Sequence, residues 1–249
     1  MPDKTVGFVG LGIMGLPMAK NLLDAGYRVV GHNRSDDPTA ELVEYGGEDG
    51  GSPAQLAEKS DVVLLCLPDS PDVENVVLGE GSEQSPVIDG VADGMTVIDH
   101  STISPTTAES VADRLAEEGV AMLDAPISGG EVGAIEGTLS IMVGGPEDAF
   151  DAQRDVLKVM GETVTHCGPS GAGQTTKACN QIVVSAQMAA VSEALVFADN
   201  AGADLDAVVD AISGGAAGCW ALDNRAPSMI RGEFEPGFFA EYQYKDLRI

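Results

Sequence analysis

The chain has 249 residues, enough for one large or two small domains, and 44% of them are hydrophobic. Its 40 acidic and 13 basic residues, a formal net charge of −27, are spread along the chain. That leaves too few cations to meet a phosphate backbone and excludes nucleic acid as a partner; the acidity suits a surface adapted to high salt, where screening relieves self-repulsion. No unbroken apolar run reaches the roughly 18 residues of a membrane span, and no export signal opens the chain, so the expectation is a cytoplasmic protein that does not cross a membrane.

Residues 5–10 read as a short buried strand that opens into Gly10-Leu11-Gly12-Ile13-Met14-Gly15. A helix follows, with Pro17 in its first turn, where a missing N–H costs little, and Gly26 as its stop. Residues 27–32 form the second strand. A Gly-x-Gly-x-x-Gly spacing between strand and helix, with another strand behind it, is the context in which this motif binds a dinucleotide. Gly10 permits the tight turn, Gly12 lets the backbone approach a pyrophosphate, and Gly15 lets the helix pack against the strand. The helix N-terminus then offers amides to the phosphates. An acid at the end of the second strand would hold the adenosine ribose of NAD, but this chain has Asn33-Arg34-Ser35 there. The planar fork of Arg34 can pair with a 2′-phosphate and Ser35 can add a donor, which favours NADP. Asp36 and Asp37 follow and keep NAD open.

The apolar runs 61–67 and 95–99 read as parallel strands covered on both faces, with helical segments at 40–45, 53–58 and 71–77. A further helix at 105–118 and strands at 120–124 and 140–144 complete a doubly wound α/β domain over residues 1–167. Leu67-Pro68 and Thr102 lie just past the carboxyl ends of two strands, the edge at which such sheets bind ligands. Thr102 can donate to the nicotinamide half of a cofactor, or it can simply cap the helix that begins at Pro105. The strand ending in Asp124 runs into Ser128-Gly129-Gly130. A serine hydroxyl with successive glycine amides makes a carboxylate cradle, and the place on the sheet edge favours that over an ordinary turn.

Residues 172–201 carry no strand signal and read as one helix of about thirty residues, well beyond the usual roughly 8–20. Helical pieces at 207–212, 222–229 and 242–249 complete a second, helical domain over 168–249. Lys177, one of six lysines, lies one and a half turns into the long helix, with Asn180 and Gln181 at i+3 and i+4 near its face. A lysine partly desolvated beside a positively polarised ring has its pKa lowered toward neutrality, which suits a proton donor and acceptor; a solvent-facing helix lysine is the equal alternative. Four cysteines without a CxxC pair and three scattered histidines make no metal site.

Together the segments 7–21, 99–102, 124–130, 171–181 and Lys245-Asp246 resemble, in order along the whole chain, the β-hydroxyacid dehydrogenase family. The resemblance implies a Rossmann-type domain followed by an all-helical domain, and a homo-oligomer, dimer or tetramer, built partly on that second domain. It places the catalytic lysine on Lys177 and the substrate-carboxylate loop on Ser128, Gly129 and Gly130. The cofactor-contacting threonine falls on Thr102, and a second lysine against the cofactor falls on Lys245. The family's active-site asparagine often stands four residues after the lysine, where this chain has Gln181, with Asn180 one position earlier; both remain candidates. The implied reaction is hydride transfer between NADP or NAD and a small carboxylic acid, a 3-hydroxy acid or its semialdehyde. A 6-phosphogluconate dehydrogenase-related enzyme would need more basic residues than the helical half carries, and imine reductases commonly replace the lysine. A non-catalytic NADP-binding protein of the same fold is the alternative from another class. Family members usually continue beyond the Lys-Asp pair with further helices, so the chain is expected to be truncated at Ile249.

Overall fold

A computed structural model describes residues 4–81, 84–234 and 238–249. Strand β1 (Thr5–Val9) is buried along its whole length, as a central strand covered on both faces must be. After the glycine turn, α1 (Gly15–Asp24) buries Met18, Ala19 and Leu22 against the sheet. β2 (Arg28–His32) returns parallel to β1, with Val29 beside Val6 and Gly31 beside Phe8. The alternation continues through α2 (Asp36–Tyr45), β3 (Glu48–Asp49), α3 (Pro53–Glu58), β4 (Val62–Leu65), α4 (Ser70–Leu78), β5 (Thr96–Asp99), α5 (Pro105–Ala116) and β6 (Ala121–Asp124). Then come β7 (Ile127–Ser128), α6 (Gly130–Glu136), β8 (Ser140–Gly144), α7 (Glu147–Met160) and β9 (Thr163–Gly168).

The sheet runs β3-β2-β1-β4-β5-β6-β8-β7, with β9 against β8. The pairings from β3 to β6 are parallel, while β8 is antiparallel to both β6 and β7. Side chains alternate across it with the two-residue period of a strand. Val62 and Leu64 join Phe8, Met18 and Leu123 in one core, while Val63 and Leu65 join Val30, Val97 and Met122 in the other. This is the doubly wound domain that the sequence predicts.

Besides the two-residue strands β3 and β7, the elements α6, α7 and β9 lie where the sequence reading places none. α7 carries Ala149, Phe150, Gln153, Val156, Leu157 and Met160 as one buried stripe of helical period. β9 is half exposed and mixes Thr and His with its apolar residues, so it has no clean strand pattern. α6 begins at Gly130, directly out of the Ser128-Gly129 loop, and its internal glycine Gly133 depresses its helix propensity.

The remaining elements are helices: α8 (Ala172–Asn200), α9 (Leu205–Ser213), α10 (Trp220–Asn224), α11 (Ala226–Arg231) and α12 (Ala240–Asp246). Residues 222–229, read as one helix, are divided between α10 and α11 at Arg225, two residues before a proline that cannot continue a helical hydrogen-bond ladder. Val191, Leu195, Ala221, Leu222 and Ala226 make a small core of their own. The chain separates into two compact units, Met1–Lys177 with Ile249, and Ala178–Arg248. This division falls inside α8, whose first turns are bonded into the α/β unit. α8 also amends the expectation about membranes: its 29 residues are long and apolar enough, by length and composition, to cross one. Ala, Val and Met raise its mean hydropathy although Gln181, Ser185, Gln187, Ser192 and Glu193 interrupt every long apolar run.

Candidate active site

The carboxyl ends of β1 and β4 are neighbours, and from them the strand order runs outward in opposite directions. A crevice opens at such a switch point, and the glycine turn fills its rim. Gly10 has φ 94°, and a Cβ there would meet the Cys66 carbonyl oxygen at 2.3 Å. One on Gly15 would meet the Gly10 carbonyl oxygen at 1.9 Å, so the helix closes on the strand only with glycine at this position. Gly12 is different: it is exposed, and a Cβ would touch nothing within 4 Å. Leu11 is buried, Met14 caps α1, and Ile13 is exposed beside Gly12. The turn is thus rigid underneath and open above, as a pyrophosphate cradle at a helix N-terminus requires.

Asn33 joins this turn to the loop after β2. Its Oδ1 accepts the Leu11 N–H at 3.0 Å, and its Nδ2 donates to the Ser35 carbonyl at 3.2 Å and hydroxyl at 2.9 Å. A cleft of about 650 Å³ lies beyond, lined by His32, Asn33, Arg34, Asp36, Thr39 and Asp49 among others, with Arg34 exposed on its wall. A dinucleotide fits this chain: open glycine cradle, an adjoining cleft and a cation at its edge.

The next strand ends are tied together. Leu67 donates its N–H to the Ser101 hydroxyl at 2.8 Å, and Ser101 donates its own N–H to Asp99 Oδ1 at 2.9 Å; Pro68 is exposed beside them. Thr102 is half-buried between Ser101 and Ile103. It is not the cap of α5, a position that Ser104 takes. His100 is 1% exposed, and its Nδ1 donates to the Ala125 carbonyl at 2.8 Å. Burial outweighs that bond and lowers its pKa to about 4, so the ring is neutral. Its Nε2 is buried without a hydrogen-bond partner.

Lys177 is 7% exposed, which removes the solvent-facing alternative. Its Nζ donates to the Ile127 carbonyl at 2.8 Å, immediately before Ser128. Ser128 ends β7 half-buried, and Gly129 and Gly130 follow, exposed, with φ of 143° and 65°. Side chains rarely adopt those backbone angles, so glycine is what turns the loop into α6. Two groups under this loop escaped the sequence reading. Asp124, 2% exposed, accepts the Gly171 N–H at 2.8 Å on Oδ1 and the Gln174 N–H at 2.9 Å on Oδ2. Burial raises its pKa against the pull of those amides. Gln174 is bonded to the backbone on both sides of Thr102. The only sequence signal for either was a polar residue among small or apolar neighbours.

In the helical unit, Gln181 is 4% exposed and fully engaged. Its Nε2 donates to Asp246 Oδ2 at 2.6 Å and Gln243 Oε1 at 3.2 Å, and its Oε1 accepts from Asn180 Nδ2 at 2.7 Å. Asn180 itself is half-buried. Lys245 forms an ion pair with Asp246 at 2.9 Å. Among the described residues, no group of three or more His, Cys, Asp or Glu is placed to hold a metal ion.

Fold and crevice define a dinucleotide-dependent oxidoreductase. Residues 5–168 match the model of the NAD binding domain of 6-phosphogluconate dehydrogenase, and residues 171–249 that of the NAD-binding region of NADP-dependent 3-hydroxyisobutyrate dehydrogenase. The chain is 42% identical over 245 residues to 2-hydroxy-3-oxopropionate reductase of Escherichia coli strain K12, covering 98% of this chain and 82% of that protein. Its structure is similar to that of Mycobacterium tuberculosis 3-hydroxyisobutyrate dehydrogenase with L-serine, at a TM-score of 0.90 and 34% identity, covering 98% of this chain and 84% of that one. It is also similar to Psf3 in complex with NADP+ and 2-OPP, at a TM-score of 0.89 and 28% identity over 98% and 84% of the two chains. The chain belongs to the NAD(P)-dependent hydroxyacid dehydrogenases that include 3-hydroxyisobutyrate dehydrogenase; it is an oxidoreductase acting on a hydroxyl group.

Proposed function

We propose that this enzyme interconverts a small 3-hydroxy acid and its semialdehyde or oxo acid, prefers NADP, and uses Lys177 as general acid and base. One observation carries the reading: the Lys177 Nζ, nearly buried, is held at 2.8 Å from the Ile127 carbonyl, at the threshold of the Ser128 loop. An ammonium fixed there can give its proton to a forming alkoxide during reduction and take it back during oxidation. The Ser128 hydroxyl and the amides of Gly129 and Gly130 hold the substrate carboxylate, supported by the positive φ of both glycines. Residues 10–15, Asn33 to Ser35, Leu67, Pro68 and Thr102 hold the dinucleotide, and Lys245 is assigned to it by the resemblance. Bound there, the nicotinamide supplies or accepts the hydride. Asn180 and Gln181, joined to each other by the Asn180 Nδ2 donation to Gln181 Oε1, both remain candidates for orienting the substrate or the lysine.

Arg34, exposed on the wall of the cleft beside Ser35, supports NADP and a mainly reductive direction. The name of the Escherichia coli relative, a reductase of a 3-oxo acid, supports the substrate class. The test is NADPH oxidation with tartronic, succinic and methylmalonic semialdehydes, comparing the wild type with Lys177→Ala. We expect turnover on at least one of them and a loss of about 100-fold or more in kcat in the variant, with NADPH binding kept. Tight NADPH binding without turnover on any of the three would replace this reading with a non-catalytic dinucleotide-binding protein.

A further inference from the structure

Gln174 is 1% exposed, and its side-chain amide is used twice. Its Nε2 donates to the Ser101 carbonyl at 2.8 Å, and its Oε1 accepts the Ile103 N–H at 3.1 Å. Those two groups flank Thr102, so the side chain pairs with the loop as a neighbouring peptide group would in a ladder. The backbone of the same residue is pinned from below, because its N–H is held by Asp124 Oδ2 at 2.9 Å. The loop it grips is in turn bonded to the next, through the Leu67 N–H and the Ser101 hydroxyl. Lys177 stands three residues further on the helix, nearly one turn away, with its Nζ on the Ile127 carbonyl.

We propose that Gln174 is a positioning residue for hydride transfer. It is a peptide-like clamp that fixes the Thr102 loop against the turn of α8 that carries Lys177. Through that clamp it sets the separation between the proton-carrying ammonium and the loops along the strand edge. The inference rests on the reading of Lys177 as proton carrier. A primary amide offers both a donor and an acceptor at this reach whatever the pH. Asn is a methylene too short, and Met fills the space with neither. A carboxylate keeps the acceptor for Ile103 but faces the Ser101 carbonyl with a lone pair. Once protonated, the same carboxyl donates to that carbonyl and restores both bonds.

The experiment compares wild type, Gln174→Met, Gln174→Glu and Lys177→Ala. It reads the NADPH dissociation constant, kcat and KM for the semialdehyde turned over, and the primary isotope effect with 4-deuterated NADPH, between about pH 5.5 and 8.5. Misplacement of reacting groups slows the chemical step far more than it weakens binding. Gln174→Met is therefore expected to lose about tenfold or more in kcat with a larger isotope effect, while KM and NADPH affinity stay within about threefold. Gln174→Glu is expected to recover kcat, relative to wild type, as the pH falls. A Gln174→Met kcat within about twofold of wild type, or a loss matched by an equal loss of NADPH affinity, overturns the proposal. A Gln174→Glu pH profile parallel to that of wild type also overturns it, and decides alone if Gln174→Met does not fold. Lys177→Ala keeps the two ideas apart: unimpaired turnover in that variant overturns the lysine reading, whereas its inactivity beside normal Gln174 variants overturns only the clamp.

Discussion

Acidification should weaken this fold through one buried ring. His100 has a folded pKa of about 4 against its ordinary 6.5, because its imidazole is enclosed and its Nε2 has no partner. The folded protein thus binds fewer protons at this site than the unfolded chain between those limits. The stabilising contribution is complete above pH 6.5, is lost as the pH falls toward 4, and is flat below that. The gap, 6.5 − 4, is 2.5 pH units, which caps the effect at about 3.4 kcal/mol, with roughly 2 kcal/mol lost by about pH 5. Asp124, with its raised pKa, works in the opposite direction. The comparison is therefore with His100→Gln, a neutral amide that can still donate to the Ala125 carbonyl. Urea unfolding at about pH 7.5 and about pH 5, in the same high salt, should show wild type losing about 2 kcal/mol more than the variant. Equal losses in the two proteins would refute the reasoning.

The glycine turn offers a contrast within one motif. Gly12→Ala should leave the melting temperature unchanged and weaken NADPH binding about tenfold or more, because the new methyl meets no protein and stands where the pyrophosphate would lie. Gly15→Ala should instead lower stability by about 2 kcal/mol or more in urea unfolding, since its methyl would lie 1.9 Å from the Gly10 carbonyl oxygen. An unchanged NADPH affinity in Gly12→Ala would move the pyrophosphate elsewhere. Arg34→Ala should raise the Kd for NADPH about tenfold to a hundredfold, by titration at fixed salt, and leave that for NADH within about twofold; equal losses on both cofactors would remove Arg34 from the 2′-phosphate.

What could be read from the chain alone follows from where each residue's demand falls. Gly10 and Gly15 answer to backbone geometry within a few residues, so their roles are legible in a strand–turn–helix spacing. The buried strands are equally legible, because Val62 to Leu65 has apolar residues for both faces of the sheet. The stripe in α7 was there to be seen, whereas β9, half exposed, had none. Polar residues inside the fold answer to partners that spacing does not reveal. Lys177 was open between surface and site until the Ile127 carbonyl, 50 residues back, accounted for its buried ammonium. Gln174 looked like one more polar residue in a small-residue run, and its two partners lie 71 and 73 residues away. Asn180 and Gln181 were indistinguishable neighbours until Asp246, 65 residues on, took up the amide of Gln181. A buried donor or acceptor left unpaired costs about 1–3 kcal/mol, so each of these side chains is as constrained as any glycine. Their constraint is written in the distant partner, which is why the cofactor turn is visible in thirty-odd consecutive letters and the machinery around the lysine only in the folded chain.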